Sequence, residues 1–342
     1  MTSSHRAAHT PPPRRTVLLS ISVLVTAALS ACSAGADSGA EGSNQARAVA
    51  SPSPKGAATP QEAAKALDTY EDVNSKANAV QDTELLGTVE AGQVHEQSLA
   101  DYKQFKTWTK ADQKEYEQPF AYGSRKYYTP AEQSWFAVKA TSGASKSEAL
   151  LIFDKDDGRF KMVAAVYAEE NTAIPEIAVD RHGLATAVTP STRVGTLAPS
   201  QLGAALADLF ETGGRKLGSQ LATTQVTKES VKYYTDRNKG KNSNWATTAY
   251  FSAEPAHSKV YALRMPNGGI LAVFPTAHTS EVLLKPPYMG NHQINPSKAE
   301  AVYNSTPRAI ITDEHQGQAL ATLTPSGNPS VIAREYRMVD SR

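Results

Sequence analysis

The side chains of this sequence that could do chemistry are scattered rather than gathered in a motif. Among its eight histidines, His5 and His9 lie near the start of the chain. His278 follows an apolar run, His292 sits among prolines and His315 follows Asp313-Glu314. Three imidazoles brought to one point could hold zinc or serve as acid and base. Their spacing does not require it, and surface histidines at loops and strand ends are the plainer account. Tyr70, Tyr102 and Trp135 are large aromatics that could line a pocket for an apolar ligand, with His95 and Asp101 as its polar groups. Those five form the candidate ligand-binding set. Core packing of the aromatics and solvated helix faces are the competing explanation. No catalytic set, no metal site and no cofactor is assigned.

Motifs that would name a reaction are missing. There is no Gly-x-Ser-x-Gly elbow, no His-Glu-x-x-His and no Gly-x-Gly-x-x-Gly. Gly240-Lys241 lacks the earlier glycine of a phosphate loop. Asp154-Lys-Asp-Asp-Gly158 has a calcium-loop flavour, but its glycine comes one residue early and no bidentate Glu follows in place. It reads as a hairpin turn.

The sharpest chemical signal is the single cysteine. Residues 1–16 carry Arg6, Arg14 and Arg15 and no acid, and an apolar run from Val17 to Leu29 follows. That run is too short to span a bilayer comfortably, and with its flanks it makes a secretory signal peptide. It ends in Leu29-Ser30-Ala31-Cys32, which looks like a bacterial lipobox. There the thiol takes a diacylglycerol thioether, and the chain is cut just before Cys32. Cleavage would remove three arginines and no acid, taking the formal charge from +1 to −2. It would also leave no free thiol in the folded part, which excludes cysteine catalysis and thiolate metal sites. The Arg14-Arg15 pair leaves Sec and twin-arginine export both open. The near balance of charge makes nucleic acid a poor partner.

These features give a domain plan of a signal peptide over 1–31, an acylated Cys32 with a disordered tether over 32–58, and α+β domains over 59–190 and 195–342. The tether is rich in Ala, Gly, Ser and Pro and has no apolar period. Thr59-Pro60-Gln61-Glu62 opens the first helix with a capping box. Ala63, Leu67, Tyr70, Val73, Ala77 and Val80 then make its apolar face. Asp82 caps a second helix, Gly92 interrupts it, and Val94–Phe105 resumes. A polar helix runs from Thr109 to Glu117. Strands are expected at 120–128, 135–141, 149–153 and 159–167, with a further hairpin at 177–188 around Asp180-Arg-His-Gly183. In the second half, helices lie at 201–210 and from Thr227 to Tyr234. Strands are expected at 245–251, 260–264, 270–274, 309–312, 319–324 and 331–338, with a short helix opened by Ser297-Lys-Ala-Glu300.

The halves also share residues. Gln93-Val-His-Glu-Gln-Ser-Leu99 stands against Gln225-Val-Thr-Lys-Glu-Ser-Val231, with Tyr102 against Tyr234. This reads as a diverged duplication. The expected fold is α+β in two similar halves, each with helices followed by a curved antiparallel sheet. By fold analogy this is similar to the NTF2-like or cystatin-like cone, with a plain helix-on-sheet sandwich as the alternative.

Further runs carry a family resemblance: Leu67-Asp-Thr-Tyr70, Leu85-Leu-Gly-Thr-Val-Glu90, Ala100-Asp-Tyr-Lys-Gln-Phe105, Leu209-Phe-Glu-Thr-Gly-Gly214 and Val273-Phe-Pro-Thr-Ala-His-Thr279. With these the chain resembles a Streptomyces-type family of actinobacterial lipoproteins that ends in a domain of unknown function. The resemblance implies a lipid-anchored, extracytoplasmic protein and no activity. Cys32 is the one functional residue it carries over. The reading is a non-catalytic binding or envelope-associated lipoprotein. Its partners would be the membrane through the lipid anchor, and a small apolar ligand or another envelope protein. The alternatives are an NTF2-like enzyme with an Asp/His pocket, or a scaffold docking another envelope protein.

Overall fold

The computed structural model describes residues 55–143, 147–168 and 172–342. The expected signal peptide, Cys32 and the expected tether up to residue 54 lie outside the described residues. Order starts ahead of Thr59. Gly56 bridges Ala131, the Lys55 carbonyl accepts from Glu132 N, and Ala58 is buried.

The first half begins with α1 (Pro60–Val80), whose capping box at Thr59 and Glu62 forms as the sequence predicts. α2 (Thr83–Gly87) is capped by Asp82, and α3 spans Gly92–Gln104. Gly92 therefore starts a helix instead of interrupting one. α4 (Lys110–Tyr116) has Thr109 as its cap. A four-stranded antiparallel meander follows: β1 (Tyr122–Tyr128), β2 (Trp135–Ser142), β3 (Glu148–Asp156) and β4 (Arg159–Tyr167). Asp157 and Gly158 both have positive φ in the β3–β4 turn, the geometry a two-residue Asp-Gly hairpin needs.

The expected hairpin at 177–188 is not a pair of strands. Val179 and Ala185 make one bridge, and the segment then bonds elsewhere. Ala185 N donates to Thr129 O, while at the second sheet's edge Val188 N donates to Ala262 O and Arg264 N to Thr186 O. Two open strand edges supply better partners than the segment's own return.

The second half has α5 (Leu202–Glu211) and α6 (Gln225–Asp236), then β5 (Ala246–Ser252), β6 (Tyr261–Arg264), β7 (Ile270–Leu284), β8 (Ile310–Leu323) and β9 (Ser330–Ser341). α6 is capped by Thr224, a turn ahead of the expected Thr227. The Ser297/Glu300 capping box forms, but it opens only a 3-10 turn at Glu300–Val302. The strand order is β5-β7-β8-β9, with β6 also pairing β7. The sequence reading ended β7 at Phe274 and divided β8 into two strands. Both instead run on as long ribbons. Pro275 is tolerated because β6 pairs with β7 only as far as Val273 and β5 only from His278.

Each sheet is buried on both faces. Leu67 and Tyr70 of α1 pack on Phe136, Leu151 and Phe153, while the alternate residues Ala137, Leu150 and Ile152 face Leu263, Leu271 and Leu320 of the second sheet. The other face of that second sheet, with Ala272, Phe274 and Ala321, is covered by Leu202 and Leu206 of α5 and Val226 of α6. The layers thus run helix, sheet, sheet, helix. Strands buried on both faces read as continuous apolar runs, as Ala149–Phe153 does.

Candidate functional site

Helical spacing places Tyr70, Asn74 and Asn78 in a row on the inner face of α1. The apolar period expected Val73 and Val80 there, yet Val80 is exposed and the asparagines are buried. They are buried because they are bonded. The Tyr102 hydroxyl donates to Asn78 Oδ1 (2.7 Å), Asn78 Nδ2 to Asn74 Oδ1 (2.8 Å), and Asn74 Nδ2 to Glu90 Oε1 (2.9 Å). The Tyr70 hydroxyl also donates to Glu90 Oε1, at 3.0 Å. Glu90 is held by its neighbours, since Val89 and Ala91 bond to Met162 of β4. Burial pushes the Glu90 carboxyl up to about 8, against the opposing pull of Ser98, Tyr70 and Asn74. It is therefore a neutral acid at pH 7. The nearest base is His95, with Nδ1 3.9 Å from Glu90 Oε2, and burial lowers that imidazole.

The five expected site residues divide. Tyr70, Tyr102 and His95 gather around Glu90, a residue the sequence reading did not select. Asp101 turns instead to β9, where Arg337 Nε donates to it at 2.8 Å. Burial raises the Asp101 carboxyl and the guanidinium lowers it. Trp135 lies on the opposite face of the first sheet, edge-on to Tyr261 with ring centroids 5.1 Å apart. Its indole N–H donates to Gln133 Oε1.

A cleft of about 310 Å³ opens between the halves. Gly92 and Gln93 of α3 form one wall, Val163 and Ala164 of β4 another, and Val273, Phe274 and Pro275 of β7 a third. His257, Ser258 and Lys259 stand at its rim side. The β7 wall ends in the stretch that neither β5 nor β6 covers. Gln93 is only 4% exposed, and neither its Oε1 nor its Nε2 has a hydrogen-bond partner. Its neighbours along the same helix row are all engaged. Gln97 Oε1 accepts from Gln318 Nε2 (3.0 Å), Asp101 pairs with Arg337, and Gln104 Nε2 donates to Met338 O (2.8 Å). The row thus stitches α3 to the second sheet at every member except the one that lines the cleft. Sequence reasoning missed Gln93 and Glu90. The available signal was Ala91 at a helix start where Ser, Thr, Asp or Asn would be usual.

The second half gathers a different cluster. His278 and His315 face each other across β7 and β8, with parallel rings 4.7 Å apart, and Phe210 stacks on His278 at 4.5 Å. Burial holds His315 down at about 4 and His278 well below its usual value. Arg334 lies over the rings of Phe210, Tyr233 and Tyr336, and its guanidinium donates to the Ser230 hydroxyl. His292 lies edge-on to Tyr288 instead. The three histidines considered for zinc do not converge. No group of three or more His, Cys, Asp or Glu suited to a metal occurs among the described residues. Asp154, the first residue of the calcium-like turn, accepts from Lys259, Tyr261 and Ser134, which ties the turn to the second half.

A four-layer α+β body with a cleft at the seam of its halves is the class of protein defined here. The chain belongs to the family of the domain of unknown function DUF8094, which matches residues 54–342. It is 28% identical over 328 residues to an uncharacterized lipoprotein of Streptomyces coelicolor, covering 93% of this chain and 91% of that protein. No solved structure matches. No helix among the described residues is long and apolar enough to cross a membrane.

Proposed function

We propose that this is a lipid-anchored, extracytoplasmic lipoprotein that binds a small molecule, without catalysis, in the cleft between its halves. The observation that carries the binding role is Gln93. A buried amide without partners costs about 1–3 kcal/mol, and such groups are kept where something else meets them. The lipobox at Leu29–Cys32 and the relative's name support the anchor. A diacylated Cys32 would hold the body at the outer face of the cell membrane, since two chains make anchoring stable. The two halves also fit a diverged duplication of one NTF2-like α+β unit. Each sets helices before an antiparallel sheet, and the matched Gln-Val pairs fall in the first turns of α3 and α6.

The test is native mass spectrometry of the protein exported from an actinobacterial host. A reproducible extra mass is expected in the parent chain and not in Ser258→Trp, which fills the cleft from an exposed rim position. A bare protein mass in both would sink the cleft reading and favour a docked envelope protein. Cys32→Ser should move the protein from the detergent phase to the aqueous fraction, or leave it uncleaved.

A further inference from the structure

The chemistry of the cleft goes further than its existence. α3 is 13 residues long, and its N-cap Ala91 offers no side chain to the first-turn amides. Gly92 enters with φ +58°, a conformation that seats the helix end closely against Val163 and that side chains rarely adopt. The positive end of the helix dipole is thus left for something outside the helix. The buried, unpartnered amide of Gln93 lies at the same place. His257 and Lys259 are the basic residues lining the cleft, and no Asp or Glu lines it. Each is paired with a carboxylate that does not line the cleft: His257 with Glu96 at 3.4 Å and Lys259 with Asp154 at 2.5 Å. Lys259 is about half exposed, and Asp154 keeps its bonds from Ser134 and Tyr261, so the ammonium can turn to a ligand. Glu90, next to the helix end, is neutral at pH 7 and does not cancel the field there. Val273, Phe274 and Pro275 supply an apolar wall.

We propose that the cleft takes a carboxylate-bearing amphiphile, its anionic head at the α3 N-terminus against Gln93 and Lys259 and its apolar body along Val273, Phe274 and Pro275. A helix N-terminus provides backbone donors and favourable potential for a carboxylate, and Gln93 Nε2 adds a donor that is already desolvated. A hydrocarbon body explains why one wall is apolar in a site with a cationic rim. This inference rests on the cleft reading and specifies its ligand class.

The experiment is calorimetric titration of the full acylated protein in lipid nanodiscs with octanoate, octanol and octylamine, with empty discs as the blank for partition into lipid. Octanoate is expected to bind at least about tenfold more tightly than the alcohol or the amine. Gln93→Leu should weaken octanoate about tenfold and leave octanol unchanged or tighter. Ala91→Asp, which places a carboxylate of its own at the helix end, should weaken octanoate by a similar factor. Equal binding of octanol and octanoate, lost in Ser258→Trp, would overturn the head-group assignment and leave the cleft reading standing. Unchanged octanoate affinity in Gln93→Leu would overturn it as well. Failure of all probes, together with a bare native mass, would remove both readings.

Discussion

Helices α3 and α6 each carry a Gln-Val pair in the first turn and treat it differently. In α6, Thr224 and Thr227 cap each other, and Gln225 is exposed and donates to Glu229 one turn on. The helix end is closed by its own side chains. In α3, Ala91 caps nothing, and Gln93 is buried without a partner. The valines that follow, Val94 and Val226, are buried in both. The packing role is the same, and the polar ends differ. One helix end completes the fold, and the other is left open at a cleft. The same contrast holds deeper in each half. In the first half burial holds an acid neutral, Glu90, and in the second it holds a pair of bases neutral, His278 and His315.

The largest expected effect separates the halves by pH. Glu90 has a raised folded pKa, so its contribution is full below the unfolded value near 4.5 and is lost as pH rises toward about 8. The loss is on the order of 3–5 kcal/mol, and Glu90→Gln should flatten it in urea midpoints measured from pH 5 to 8. His315 has a lowered folded pKa, so its contribution is present above about 6.5 and is lost as pH falls toward about 4. That acid limb should amount to a few kcal/mol and persist in Glu90→Gln. An alkaline slope unchanged by Glu90→Gln would break the contrast.

Next comes the glutamine pair. Gln93→Leu should stabilise the unliganded protein by about 1–2 kcal/mol, because it removes an unsatisfied buried amide. Gln225→Leu, on an exposed surface, should change stability by less than about 0.5 kcal/mol. Thermal unfolding of both variants side by side decides this, and a destabilised Gln93→Leu would mean the amide already has a role in the unliganded fold. The smallest effects concern the caps. Thr224→Ala should cost about 1 kcal/mol, whereas Ala91→Ser should gain a few tenths to about 1 kcal/mol by supplying the missing acceptor. A loss on Ala91→Ser would show that the α3 end cannot take a cap in its present conformation.

Much of the fold was legible because local signals carried it. The start of α1 follows from Thr59, Pro60 and Glu62, and the β3–β4 turn from Asp157-Gly158. The long ribbon of β7 and β8 was not legible, because Pro275 and the polar run from Asp313 to Gln318 look like strand ends. Gln318 is buried in a strand only because Gln97 and the backbone of Ala165 meet it from the other half. Of the candidate site, the tyrosines and His95 could be chosen by residue type. Asp101 could not be separated from them, since its partner Arg337 is more than two hundred positions away.

The sequence by itself determined the secondary-structure class and raised the expectation of a lipid anchor. A charged flank, a short apolar run, a cysteine behind small residues, caps and alternating apolar patterns all act within a few neighbouring positions. Tertiary structure alone decided which polar residues are buried and which of those stay unpaired. Burial and pairing depend on what another part of the chain brings within 3 Å, and no spacing along the sequence encodes that distance.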